Sequence, residues 1–206
     1  MKKQITLIVI STLSVCLLSA CVSLITPKVE ADLIELKSGA YSLDKSHARL
    51  LFKIRHLGLS TYVGRFNDFD ATLEFDPNNM SAAKLSAVVD MSSVDINDQG
   101  LAEDLLGRSW FRVAEYPQAV FESTSVIPVS SSEFKFTGNL NWRGVSKEIS
   151  INAKFEGGAS NILTGKYTLG FSTVGKFQRS DFGMSKLIPL VGDEVTIETY
   201  AEFLKN

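Results

Sequence analysis

Phe69-Asp70-Ala71-Thr72-Leu73-Glu74-Phe75, followed at once by Asp76-Pro77-Asn78-Asn79, decides how this chain is read. Successive side chains of a strand point to opposite faces, so Phe69, Ala71, Leu73 and Phe75 on one side and Asp70, Thr72 and Glu74 on the other describe a half-buried strand. The next four residues are turn formers. The same alternation recurs on both sides of this unit. Upstream, Ala48, Leu50, Phe52 and Ile54 alternate with His47, Arg49, Lys53 and Arg55, with Leu51 the one exception. Downstream come Leu85, Ala87, Val89 and Met91, then Phe134, Phe136, Leu140 and Trp142, then Val145, Ile149, Ile151 and Phe155. Near the C-terminus Val195, Ile197, Thr199, Ala201 and Phe203 alternate with Glu194, Thr196, Glu198, Tyr200 and Glu202. With weaker candidates at residues 119–125 and 167–174, the pattern predicts about eight or nine strands separated by short turns. Helical period is confined to residues 98–106 and stops at Gly107. The expected class is all-β, an antiparallel sheet closed into a barrel or folded into a sandwich, with a short helix.

The N-terminus is read separately. Met1-Lys2-Lys3-Gln4 precedes an uncharged apolar run at residues 5–18, the basic and apolar regions of an export signal. The run ends in Leu18-Ser19-Ala20-Cys21, which resembles a lipobox and predicts cleavage before Cys21 and acylation of its thiol. Leu18 suits an ordinary small-x-small cleavage site poorly. The alternative is an uncleaved anchor, because apolar and small residues continue to position 25 and the stretch reaches the roughly 20 residues that span a bilayer. The expected division is a signal at 1–20, a lipidated tether at 21–40 that mixes charges with Pro27 and Gly39, and a β domain at 41–206.

The chain has two cysteines, Cys16 and Cys21, so the mature domain would hold neither a disulfide nor a free thiol and must rest on its core. Lys and Arg total 21 against 23 Asp and Glu, a formal net charge of −2, with no basic cluster. That balance argues against a nucleic-acid partner. A transmembrane barrel would turn apolar side chains outward to lipid. The dense charge on the other face of the strands favours the opposite arrangement.

Several blocks resemble the YceI-like family in order and spacing. They are Leu43-Asp44-Lys45-Ser46-His47, Phe52-Lys53-Ile54-Arg55-His56-Leu57-Gly58, Gly64-Arg65-Phe66-Asn67-Asp68-Phe69 and Phe75-Asp76-Pro77. Further on come Ser92-Ser93-Val94-Asp95, Trp110-Phe111 with Tyr116-Pro117, Gly138-Asn139-Leu140 with Arg143-Gly144-Val145-Ser146-Lys147, and Arg179-Ser180-Asp181-Phe182-Gly183. The resemblance implies an exported, lipocalin-like barrel whose apolar tunnel holds a polyisoprenoid chain, such as a quinone tail or an isoprenoid phosphate. Members are often described as dimeric, so a homodimer stays open. The chain departs from the pattern at Asp104-Leu105, where a histidine often precedes the leucine, and at Trp110 and Asn141-Trp142. No head-group assignment carries over. By resemblance to lipoprotein sorting signals, Val22 after the cysteine implies the outer membrane, facing the periplasm.

Candidate ligand-wall residues are the inward-parity side chains Phe52, Ile54 and His56, then Phe69, Leu73 and Phe75, then Val89, then Phe136, Leu140 and Trp142, then Ile151 and Phe155. Some of these must instead be solid core: periodicity cannot choose between a tunnel and a filled barrel, and small-large alternation is usually packing, so the tunnel is what the resemblance implies. His47 and His56 are an odd number of positions apart and point to opposite faces of one strand, which argues against a shared metal. His47 reads as a hydrogen-bonded histidine at a strand end and His56 as a turn residue or a polar group at a tunnel mouth. Arg179 and Asp181 read as a pair or a turn brace, and Gly144 as a tight bend. No catalytic constellation, metal-ligand spacing or phosphate loop stands out. The expectation is a non-enzymatic protein without a cofactor, binding a polyisoprenoid or quinone, the alternative being an interaction module with a filled barrel.

Overall fold

A computed structural model describes residues 29–30, 36–161 and 164–206. The signal, Cys16, Cys21 and most of the tether lie outside the described residues. Strands β1 (Gly39–His56), β2 (Ser60–Phe66), β3 (Phe69–Phe75), β4 (Lys84–Asp90) and β5 (Val94–Asp95) come first. Helix α1 (Gln99–Leu106) follows, and then β6 (Gln118–Pro128), β7 (Glu133–Trp142), β8 (Val145–Ser160), β9 (Tyr167–Gln178) and β10 (Val191–Lys205). All pairings among these strands are antiparallel, in the order β10-β9-β8-β7-β6-β4-β3-β1-β2-β5, and β10 also pairs with β1. Eight strands therefore close into a barrel, as the alternation predicts.

Strand β1 serves three neighbours. Its start, Gly39 to Ser42, pairs with β3, its far half from Leu50 to His56 pairs with β2, and its other edge runs along β10. Between these halves the β1–β10 register jumps from Leu43↔Phe203 to Ala48↔Ala201. The extra residues bulge outward and reverse the parity, so that Tyr41 and Leu43 point inward before the bulge and Ala48 and Leu50 after it. Asp44 holds the bulge by accepting from the Ser46 N–H (3.0 Å) and the Ser46 hydroxyl (2.6 Å), and its other oxygen lies 2.9 Å from His47 Nδ1. His47 therefore stands at a mid-strand bulge, not at the strand end that the sequence suggested.

Helix α1 begins where Asp98 accepts from the Leu101 N–H (3.0 Å) and ends at Gly107. The weak candidates at 119–125 and 167–174 are the central parts of β6 and β9. Arg143 and Gly144 both have positive φ (51° and 76°) between the paired Trp142 and Val145, a two-residue turn whose twist matches a hairpin. The tether meets the barrel at the end where β1 starts. Glu30 forms two backbone hydrogen bonds with Gly158 (2.7 and 2.9 Å), and Leu36 is buried in the core. Leu36, which the sequence read as tether, thus belongs to the core of the barrel domain. Among the described residues, all ten strands and the hydrophobic core lie within residues 36–206, so that range holds the whole closed barrel.

Candidate functional site

The inward faces of the barrel strands are apolar and the outward faces carry the charges. Lys53–Glu198 (2.7 Å), Lys176–Glu194 (2.8 Å) and Lys154–Glu156 (2.9 Å) all sit on the outside. This is the reverse of a transmembrane barrel. No helix among the described residues is long and apolar enough to cross a membrane.

Packing differs between the two ends. At the end where β1 starts, Tyr41, Phe75, Phe134, Phe155, Leu169 and Phe203 are buried, with rings in edge or tilted contact (Tyr41–Phe75 6.2 Å, Phe155–Phe171 5.4 Å, Phe171–Phe203 6.1 Å). Tyr41 donates to the Lys37 carbonyl, and burial pushes its hydroxyl up to about 12. This end is a solid floor.

Above it lies a cavity of about 390 Å³, within the range of roughly 300–1,000 Å³ usual for small-molecule sites. Ten of the twelve sequence-predicted residues form part of its wall: Phe52, Ile54, His56, Phe69, Leu73, Val89, Phe136, Leu140, Trp142 and Ile151. Phe75 and Phe155 do not, and they belong to the floor. Small side chains make the space: Ala71 faces Ala87 across β3 and β4, Ala153 faces Thr173 across β8 and β9, and Gly175 lies beside Ile151 and Ile197. Gly64 is bare for a different reason, since a Cβ there would lie 2.4 Å from the Phe52 ring, which crosses it.

The strands leave the side of the barrel beyond β2 incomplete, because β2 pairs with β5 through only Arg65 and Phe66. Leu101 and Leu105 of α1, with Trp110 and Phe111 after it, cover that side and join the wall. A run of rings links them to the rest: Phe66–Phe111 6.0 Å, Phe111–Trp142 5.7 Å and Trp142–Phe182 5.6 Å. The sequence reading missed this covering. Trp110-Phe111 stood out only as a family block, and nothing in the helical period tells which strand edge a helix will cover.

The wall reaches the surface at His56 and Leu187, both exposed. Its ionisable members are His56, Tyr62 and Arg179, and it holds no carboxylate. Arg179 is fully buried and donates to four carbonyls, of Gly192 (2.8 Å), Met184 (2.8 Å), Lys186 (2.9 Å) and Val191 (2.9 Å). Burial lowers its pKa, partly opposed by the charge of Asp193. It braces the β9–β10 connection, but not through Asp181, which is exposed while the guanidinium bonds go to main chain. Arg143 also braces this connection by donating to the Phe182 carbonyl at 2.7 Å. The Nε1 of Trp142 is buried without a hydrogen-bond partner.

His56 and His47 lie apart, as their spacing requires. On the outer surface the bulge brings Asp44, His47 and Glu202 within 4.8 Å of one another, a grouping that parity alone cannot foresee. Hydrogen bonding to Asp44 raises the His47 pKa, and hydrogen bonds from Ser46 and then His47 lower that of Asp44.

Comparison with known proteins places this architecture. Residues 41–203 match the YceI-like domain. Protein YceI of Salmonella arizonae is 37% identical over 159 residues, covering 76% of this chain and 82% of that protein. The crystal structure of the Campylobacter jejuni YceI protein superposes with a TM-score of 0.65 at 32% identity, covering 75% of this chain and 91% of the other. A domain from Saccharophagus degradans described as polyisoprenoid-binding shares the fold, with a TM-score of 0.60 at 15% identity over 81% of this chain and 98% of that one. With the matched region running from β1 almost to the end of β10, this chain belongs to the YceI-like family.

Proposed function

We propose that this protein binds a polyisoprenoid lipid or an isoprenoid quinone in the barrel cavity without transforming it, and that it does so in the cell envelope, acylated at Cys21 and held at the outer membrane. The observation that carries the reading is the apolar cavity of about 390 Å³ that rises from an aromatic floor to an opening at His56 and Leu187. A branched hydrocarbon chain suits such a space, because it needs no polar partner along its length. At about 0.8 kcal/mol per buried methylene, each five-carbon unit contributes roughly 4 kcal/mol, so a few units offset association costs of roughly 4–15 kcal/mol.

His56 at the opening can donate to a carbonyl or phosphate oxygen of the head group. A wall without carboxylate, cysteine or lysine supports binding over catalysis. The family supports the same reading, and a domain of the same fold from Saccharophagus degradans is described as polyisoprenoid-binding. The test is organic extraction of the purified protein followed by mass spectrometry, with an isoprenoid near one per chain as the expected result. An extract free of lipid, together with no uptake of added polyprenol, overturns the reading in favour of an interaction module.

A further inference from the structure

Five aliphatic side chains that serve neither core nor cavity floor crowd the open end. Leu57 and Leu59 form the tip of the β1–β2 hairpin, and Leu187, Ile188 and Leu190 form the tip of the β9–β10 connection. All are exposed, Leu59 by 84% and Leu190 by 55%. The Leu57 N–H donates to the Leu190 carbonyl at 2.7 Å, so the two tips form one surface. That surface is continuous with the cavity, because His56, Leu187 and Val191 belong to the same two segments and to the wall. Leu57 and Leu187 have φ of 52° and 63°, a left-handed region in which glycine or asparagine is the ordinary choice. Turn geometry therefore does not account for leucine at either place.

Within the two tips themselves the charge is of one sign. Arg55-His56-Leu57-Gly58-Leu59-Ser60-Thr61 and Gly183-Met184-Ser185-Lys186-Leu187-Ile188-Pro189-Leu190 contain Arg55 and Lys186 and no carboxylate. Apolar tips backed by cations are the composition of an element that enters the boundary between head groups and acyl chains of an anionic bilayer. A second copy of the chain fits less well. A stable protein interface takes about 800 Å² and roughly 20–30 residues on each side, far more than two short loop tips supply.

We propose that the cavity mouth docks on an anionic lipid surface, with Leu57, Leu59, Leu187, Ile188 and Leu190 inserted and Arg55 and Lys186 against the head groups. The purpose, exchange of an isoprenoid between bilayer and cavity, rests on the function proposed above, whereas the docking itself does not. Glu30, ahead of β1, is bonded to Gly158 at the opposite end of the barrel.

The test uses a fragment of residues 29–206, which holds the whole closed barrel, with vesicles of phosphatidylcholine alone or mixed equally with phosphatidylglycerol. The fragment is expected to sediment with the mixed vesicles, and less so as salt rises. The double variant Leu59→Glu, Leu190→Glu, at two exposed positions outside the cavity wall, is expected to melt like the parent and to bind about tenfold or more weakly. Lys186→Glu is expected to weaken binding to the mixed vesicles alone. A parent fragment that stays in solution with both kinds of vesicle, or a double variant that binds as well as the parent, overturns the proposal. So does a parent dimer in sedimentation analysis that the double variant converts to monomer, which would assign the rim to a second copy. Extracting the same samples and offering them polyprenol separates the two readings: vesicle binding with neither bound isoprenoid nor uptake of added polyprenol leaves docking standing and overturns the cavity ligand, and bound isoprenoid without vesicle binding does the opposite.

Discussion

Ala71 of β3 stands directly across from Ala87 of β4, and both face the cavity. Two methyl groups in register leave a gap that a large side chain on either strand would close. Ala153 and Thr173 repeat the arrangement across β8 and β9. A solid barrel sets large against small at facing positions. This one sets small against small, and that is the local origin of its empty interior.

Plugging that gap separates a tunnel from a filled core. At least one of Ala71→Trp and Ala153→Trp is expected to keep the thermal stability of delipidated wild type while losing most of the co-purifying isoprenoid. Overpacking of a filled core costs roughly 1–3 kcal/mol, so strong destabilisation of both variants argues for packing. Delipidated protein is needed, because bound ligand itself raises apparent stability.

Arg179 carries the opposite expectation. Replacing it with Met removes the donors to the carbonyls of Met184, Lys186, Val191 and Gly192, and an orphaned buried acceptor costs about 1–3 kcal/mol. Arg179→Met is expected to lower stability in urea by about 3 kcal/mol. Arg179→Lys is expected to rescue little, since one ammonium cannot reproduce the planar fork. A midpoint unchanged in Arg179→Met would show that the β9–β10 connection holds without it.

The bulge at Asp44 and His47 gives a pH dependence of defined sign. His47 has a raised pKa, so its contribution is complete below the ordinary value of 6.5 and is lost as pH climbs through the raised native value. Asp44 has a lowered pKa, so its contribution is complete above the ordinary value of 3.8 and is lost as pH falls through the lowered native value. Both act fully between those ordinary values. In an NMR titration, Asp44→Asn is expected to move the His47 midpoint down toward 6.5. A midpoint that stays put would mean that the pair is not formed in solution.

Gly138 is expected to tolerate no side chain. It faces the β6 irregularity between Ser123 and Ser125, where an added Cβ would lie 2.3 Å from the Glu122 carbonyl oxygen and 2.6 Å from Ser123 Cα. Both neighbours are main chain, so relief requires moving a strand. Gly138→Ala is expected to cost about 2 kcal/mol, measured by thermal or urea unfolding, and equal stability would mean that the bulge can shift.

At the N-terminus, Cys21→Ser is expected to abolish incorporation of labelled fatty acid and to alter signal processing. Equal label in both proteins would remove the acylation proposal. Recovery of the wild type only with inner-membrane fractions would remove the sorting proposal drawn from Val22.

The strands, their inward faces and the turn at Arg143-Gly144 were legible in the sequence, because period-two alternation and turn chemistry act between near neighbours. Ten wall residues followed from the same parity. Other features, besides the covering by α1, needed the tertiary structure. Phe75 and Phe155 have the same parity as the wall residues but lie in the floor, since alternation gives the direction of a side chain and not its height in the barrel. The grouping of Asp44, His47 and Glu202 depends on extra residues in β1 opposite β10, a register shift set by pairing between the two ends of the chain. Whether the interior is filled or empty depends on which small residues meet across strands, as Ala71 meets Ala87, and such pairing exists only once the barrel has closed.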